Sequence, residues 1–156
     1  KALKAGAHII NDVTGFAPEM WRAVENTDCG CIVMHPGDPD DLNGAGGDIL
    51  ERVRAFFEKK TTEAEQRGVN KNRLCFDPGI GFGKTLEENL ALPGTKVLMK
   101  SGKAIGETAA ALSRHGLAED SAMVADCGLP SERVFRDLRE IPENVSYFAT
   151  ILVRSE

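Results

Sequence analysis

The chain lacks several things, and each absence removes a class of protein. No apolar run approaches the ~20 residues that a membrane-spanning helix requires. No basic block stands out in a chain of net charge −5, which argues against nonspecific binding to nucleic acid or to an anionic membrane. The start has no initiator methionine and no apolar signal segment; Lys1-Ala2-Leu3-Lys4 reads as the tail of a helix, as if cut from something longer. The cysteines Cys29, Cys31, Cys75 and Cys127 form neither a C-x-x-C pair nor a His/Cys finger. Four buried thiols in a reducing cytoplasm are therefore expected, with no metal and no cofactor. What is present is ordinary for a globular protein: 42% hydrophobic and 28% charged residues, which exclude disorder and collagen-like structure. A length of 156 residues suffices for one core without covalent staples.

Short β-rich runs alternate with helical periodicity, the pattern of α/β folds. Strands are expected at 7–13, 31–34, 73–77, 96–100, 121–125 and 147–153. Pro18 suits the first turn of a helix bearing Met20, Trp21 and Val24 on one face. The glycine-rich stretch 43–47 leads to Asp48, a good N-cap, and Ile49, Val53, Phe56, Phe57 and Ala64 then recur at helical spacing until Gly68. A short helix over 85–90 ends before Pro93-Gly94, and another carries Ile105, Ala109 and Leu112 up to Gly116. Residues 126–146 show charge and proline but weak helical periodicity, so a crossover helix is least supported there. The expectation is a single three-layer α/β domain over 1–156, with a mostly parallel, open sheet of about six strands. Too few strands can be read for a closed eight-stranded barrel, and open sheet edges invite a homodimer.

The most informative stretch is Asp77-Pro78-Gly79-Ile80-Gly81-Phe82-Gly83-Lys84-Thr85. Three alternating glycines free the backbone to approach a ligand, and Lys84 and Thr85 open a helix whose first amides attract anions. A Walker loop would need glycine at 78, and a dinucleotide fingerprint a small residue at 84; proline and lysine stand there instead. Asp77 remains as a carboxylate at the end of a strand, where α/β folds place ligands. Asn11-Asp12 and His35 end two further strands. Together they form a polar rim able to recognise a hydrogen-bonding heterocycle, since a carboxylate can accept two N–H bonds from an aminopyrimidine edge. The plainer alternative is that such residues merely cap turns and helices.

At these residues the chain resembles dihydropteroate synthase. The resemblance rests on Gly6-Ala7-His8-Ile9-Ile10-Asn11-Asp12-Val13, on Val33-Met34-His35, and on the 77–85 loop with Asn89, and it runs from residue 1 to about 92. It implies a TIM barrel that joins a pterin diphosphate to p-aminobenzoate in folate synthesis. It further implies that Asn11 and Asp77 hold the pterin edge while Met34 and Phe82 line the pocket. Lys103 follows a strand at about the place of that family's substrate-binding lysine; a solvated lysine at a helix start is the alternative. The segment Met34-His35-Pro36-Gly37-Asp38-Pro39 is a residue shorter than the family's usual spacing.

From about Thr95 onward the chain resembles the C-terminal part of precorrin-2 C20-methyltransferase. The matching pieces are Val97-Leu98-Met99-Lys100-Ser101-Gly102, Cys127-Gly128-Leu129-Pro130-Ser131-Glu132-Arg133-Val134 and Tyr147 to Val153. That resemblance places Met99 near an S-adenosylmethionine site. Two partial resemblances meeting between Leu92 and Thr95 lead to the expectation of a chimera, an engineered fusion of segments 1–92 and 93–156 that folds without native catalysis and has no catalytic residue. The alternative is a pterin-binding, dihydropteroate-synthase-like protein of folate biosynthesis. A natural fusion or a mis-assembled reading frame is a third reading.

Overall fold

The computed structural model describes residues 1–37, 47–142 and 144–154. They divide into two compact units, Lys1–Thr85 and Leu86–Glu156. Asp38-Pro39 and the glycine-rich stretch 43–46 lie outside the described residues.

The first unit contains β1 (Ile9–Asp12), α1 (Pro18–Val24), β2 (Gly30–Met34), α2 (Ile49–Gln66) and β3 (Leu74–Asp77). The strands lie in the order β1-β2-β3, with both pairs parallel. Local signals set the helices. Pro18 occupies the first turn of α1, where its missing N–H costs nothing. Asp48 caps α2 by accepting from the Leu50 N–H at 2.9 Å, and Gly68 leaves it with φ +73°. Period-two alternation then sorts the strands into two faces. Ile10, Cys31, Val33, Leu74 and Phe76 pack with Phe16, Trp21, Val24, Ala64 and Val69 into one core. The other face is open, with Ile9, Asn11 and Cys75 exposed.

The second unit contains α3 (Leu86–Ala91), β4 (Lys96–Met99), α4 (Ile105–Arg114), β5 (Ser121–Ala125), β6 (Arg133–Phe135) and β7 (Ala149–Val153). Its strand order is β4-β7-β5-β6, and every neighbouring pair is antiparallel. Met123, Ala125, Ile151 and Val153 form its core with Leu90, Ile105, Ala111 and Leu112. Val97, Met99, Val134 and Leu152 stand exposed on the opposite face.

The α/β class and a parallel sheet are as expected, but the expectation of one mostly parallel sheet of about six strands is corrected. Among the described residues there are two sheets, one parallel and one antiparallel, and each has an open face. The reason lies in 126–146. A parallel continuation needs a long crossover, usually a helix. Here the chain turns at once, with the Leu129 N–H bonded to the Asp126 carbonyl at 2.9 Å, and β6 pairs back onto β5. A strand of three residues, Arg133-Val134-Phe135, is too short to stand out by alternation.

Residues Leu3–Ala5 form a short 3-10 helix closed by Gly6 at φ +92°. One smaller expectation also changes. All four cysteines are free thiols, but only Cys29 and Cys31 are buried; Cys75 and Cys127 are exposed. Among the described residues, no helix is long and apolar enough to cross a membrane.

Candidate functional site

The polar strand ends of the first unit separate into two sets once the pleat is applied. Asn11 is registered with Ile32, which is registered with Cys75; two residues further along, Met34 is registered with Asp77. Neighbours in register share a face, as do residues two apart. Asn11, Met34 and Asp77 therefore belong to the open face. Asn11 and Asp77 lie two strands apart and one pleat repeat out of step, about 10 Å across the sheet and about 7 Å along it. Side chains from such positions can reach opposite ends of a two-ring heterocycle.

Asn11 is exposed, and its amide forms no hydrogen bond with the described residues. The Asp77 carboxylate is half-buried, and its Oδ1 accepts from the Gly79 N–H at 2.8 Å. That bond fixes the carboxylate plane and leaves Oδ2 to a ligand. Met34 is buried at the floor, whereas Phe82 is 52% exposed. A donor–acceptor amide, a fixed carboxylate and a flexible thioether share one face, which suits a flat molecule with a polar edge; the exposed Phe82 ring stands on the loop that follows β3.

Asp12 belongs to the other set. Its carboxylate accepts from the Thr14 N–H and hydroxyl and, at 2.7 Å, from the Phe16 N–H. It braces a turn in which Phe16 takes a left-handed φ of +57°. His35 likewise works within the protein. Its Nδ1 accepts from the Gly37 N–H at 3.2 Å, and its ring meets Phe56 edge-on with centroids 5.0 Å apart. Of the three polar strand ends, β1 and β3 each send one side chain to the open face, and β2 contributes Met34 rather than His35.

The glycine loop is held by backbone packing. Gly79, Gly81 and Gly83 all have positive φ. A Cβ on Gly37 would lie 2.4 Å from the Gly83 carbonyl oxygen, and one on Gly79 would lie 2.1 Å from that of His35. Lys84 does not present its ammonium to solvent as the opening residue of an anion-binding helix. It is buried, and its Nζ donates to the carbonyls of Gly79 (2.9 Å), Phe82 (3.0 Å) and His35 (3.2 Å). Sequence reading missed this inward role; a lysine flanked by glycines that bring three carbonyls together was the available signal.

The remaining residues named from the sequence lie in the second unit. Lys103 is exposed in the 3-10 turn Ser101–Ala104. Met99 is 70% exposed and lines a cavity of about 420 Å³ with Lys100, Asp126, Cys127 and Phe148.

Comparison with known proteins places these observations in a family. The sequence model of the family described as pterin binding enzyme matches residues 1–135. The chain is 36% identical to the dihydropteroate synthase of Synechocystis over 97 residues, which are 59% of this chain and 34% of that protein. It is 34% identical over 164 aligned positions to a probable bifunctional folylpolyglutamate synthase/dihydropteroate synthase of Halobacterium salinarum, covering 94% of this chain and 20% of that protein. Among solved structures, dihydropteroate synthase from Xanthomonas albilineans in complex with 7,8-dihydropteroate superposes with a TM-score of 0.51 at 33% identity, covering 57% of this chain and 33% of that one. The chain thus spans about a third or less of the length of these relatives.

These matches correct the expected chimera. The family match runs unbroken through 92–95, where two fragments were expected to meet, and continues to residue 135. The Halobacterium relative aligns over nearly the whole chain. Nothing in these comparisons shows a methyltransferase segment or a catalytically silent engineered fusion. The pieces that suggested one cover β4 with the turn after it, the turn into β6, and β7; each is too short to identify a family by itself.

Proposed function

Because this chain belongs to the family of pterin-binding enzymes, we propose that its first unit is the pterin-recognition face of a dihydropteroate synthase acting in folate biosynthesis. Asn11 and Asp77 take the hydrogen-bonding edge of the pterin, and Met34 and Phe82 contact its rings. The observation that carries this reading is the pairing of an unengaged Asn11 amide with an Asp77 carboxylate fixed through one oxygen, on one face of the parallel sheet. A pterin presents ring N–H and amino donors beside a carbonyl, which matches an acceptor-only carboxylate opposite a mixed donor–acceptor amide. A ligand bound to the dihydropteroate synthase from Xanthomonas albilineans, 7,8-dihydropteroate, carries this same ring system.

In the reaction of that class, the amine of p-aminobenzoate displaces diphosphate from the methylene carbon attached to the pterin. The part proposed for this face is to hold the rings so that the methylene carbon is presented in one orientation. Titration with 6-hydroxymethylpterin, followed in the amide NMR spectrum, tests the reading. Shifts are expected at Asn11, Met34 and residues 79–82. Asp77→Ala should weaken binding about 10- to 100-fold, as expected for loss of a charged hydrogen-bond partner worth ~1.5–3 kcal/mol. A ligand response that survives Asp77→Ala unchanged would place the pterin elsewhere and end the proposal.

A further inference from the structure

We propose that Lys84 is a positioning residue for the pterin edge, acting through the backbone at Gly79 to set the Asp77 carboxylate and the Phe82 ring. This rests on the pterin reading of the open face.

A lysine in a glycine-rich loop ordinarily offers its charge to an anionic ligand. This one is 8% exposed, and its ammonium donates to three backbone carbonyls. An ammonium carries three donors, so each has a protein acceptor, which is what burial of such a charge demands. These three acceptors belong to two loops. His35 follows β2, whereas Gly79 and Phe82 follow β3.

Gly79 is the junction of the network. Its N–H donates to Asp77 Oδ1 at 2.8 Å, and its carbonyl accepts from the Phe82 N–H at 3.1 Å and from Lys84 at 2.9 Å. The circuit closes through the His35 N–H, which donates to the Asp77 carbonyl at 2.8 Å. Release of the Lys84 bonds would free the Gly79–Ile80 peptide to rotate. The N–H that fixes the Asp77 carboxylate lies in the adjoining Pro78–Gly79 peptide, and it would be displaced through the shared Gly79 Cα, where the backbone is held at φ +68°. Phe82, bonded to Gly79 at its amide and to Lys84 at its carbonyl, would move with it. Lys84 touches no ligand in this scheme; it holds the groups that do.

Lys84→Met keeps the stem and removes the donors. Amide hydrogen exchange needs no ligand. Gly79 and Phe82 should exchange at least ~10-fold faster in Lys84→Met, with the core amides of Trp21 and Val33 unchanged. Unaltered protection at Gly79 overturns the proposal. Pterin titration supplies a double-mutant cycle with Asp77→Ala. Lys84→Met should weaken binding about 10-fold in the wild-type background and have almost no effect once Asp77 is gone. Equal losses in both backgrounds would mean general destabilisation and overturn the positioning role. If the wild type binds no pterin, the proposed function falls, while the exchange result still decides the role of Lys84. Should Lys84→Met not fold, Lys84→Gln is the substitute. Faster exchange at Gly79 in that variant supports the proposal, and wild-type exchange there overturns it.

Discussion

The indole N–H of Trp21 donates to Glu63 Oε2 at 3.0 Å, so a residue of α1 is fastened to one of α2. Lys60 completes the tie: its ammonium donates to the same oxygen at 2.8 Å and to the Phe16 carbonyl at 3.1 Å. The turn after β1, whose far end Asp12 braces, is thereby held against both helices.

Glu63 should give stability a pH dependence. Burial pushes its carboxyl up, but the hydrogen bonds from Lys60 and Trp21 outweigh that and hold it below its ordinary 4.5. A carboxyl held low in the folded state stabilises the fold above the unfolded value and loses that contribution as pH falls through the folded one. Glu63→Gln should therefore be less stable than wild type by ~1 kcal/mol at pH 7, with the gap closing below about pH 4.5. Urea unfolding at pH 7 and at pH 3.5 checks this. A gap that does not change with pH would show that the charge of Glu63 contributes nothing.

Two glycines of one loop should respond differently to alanine. Both Gly79 and Gly81 have positive φ, at +68° and +81°. Among the described residues a Cβ at Gly81 meets nothing within 4 Å, so Gly81→Ala should cost chiefly the backbone strain of ~1–2 kcal/mol. At Gly79 the added atom would lie 2.1 Å from a backbone oxygen that cannot step aside cheaply. Gly79→Ala should cost well over ~2 kcal/mol or force the loop into another conformation. Denaturation midpoints of the two variants should separate clearly, and equal values would contradict the packing.

Adjacent residues on β1 should divide stability from binding. Asp12→Ala removes a carboxylate that satisfies donors on Thr14 and Phe16, and should destabilise by about 1–3 kcal/mol. Pterin affinity of the folded fraction should stay within a factor of about two. Asn11→Ala should do the reverse, leaving the melting temperature nearly unchanged while weakening pterin binding. A variant that moved both quantities together would undo the assignment of these side chains to opposite faces.

Thiol reactivity should fall into two classes. Cys75 and Cys127 are exposed and should react promptly with a thiol reagent in the native protein. Burial, with Cys29 alongside, pushes the Cys31 thiol up to about 11, and the reactive thiolate is scarce at neutral pH. Two fast and two slow modifications are expected by mass spectrometry, with the slow pair released by denaturant. Four fast reactions would mean that the Cys29–Cys31 core opens readily.

Much of the first unit was legible because its signals are local. Pro18, Asp48 and Gly68 announce helix ends through their own backbone chemistry, and the structure uses each in that way. The Asp77–Thr85 motif was conspicuous for its three glycines, each of which adopts the positive φ that makes glycine necessary. The second unit was less legible because its sheet depends on pairing. β7 inserts between β4 and β5, and neither of those strands carries a local mark of its neighbour.

The sequence by itself determined the α/β alternation, the helix ends at Pro18, Asp48 and Gly68, and the glycine loop, all of which follow from backbone preferences or from side-chain chemistry within a few residues. It marked Asn11-Asp12 and Asp77 only as polar strand ends; Asn11 and Asp77 as pterin contacts rest on the family resemblance. Tertiary structure alone decided that Asp12 turns inward while Asn11 faces out, that the second sheet runs antiparallel, and that Lys84 reaches back to the His35 carbonyl. The physical reason is distance along the chain. Lys84 and His35 are separated by 49 residues, and a buried ammonium finds its acceptors only where folding has already brought two loops together.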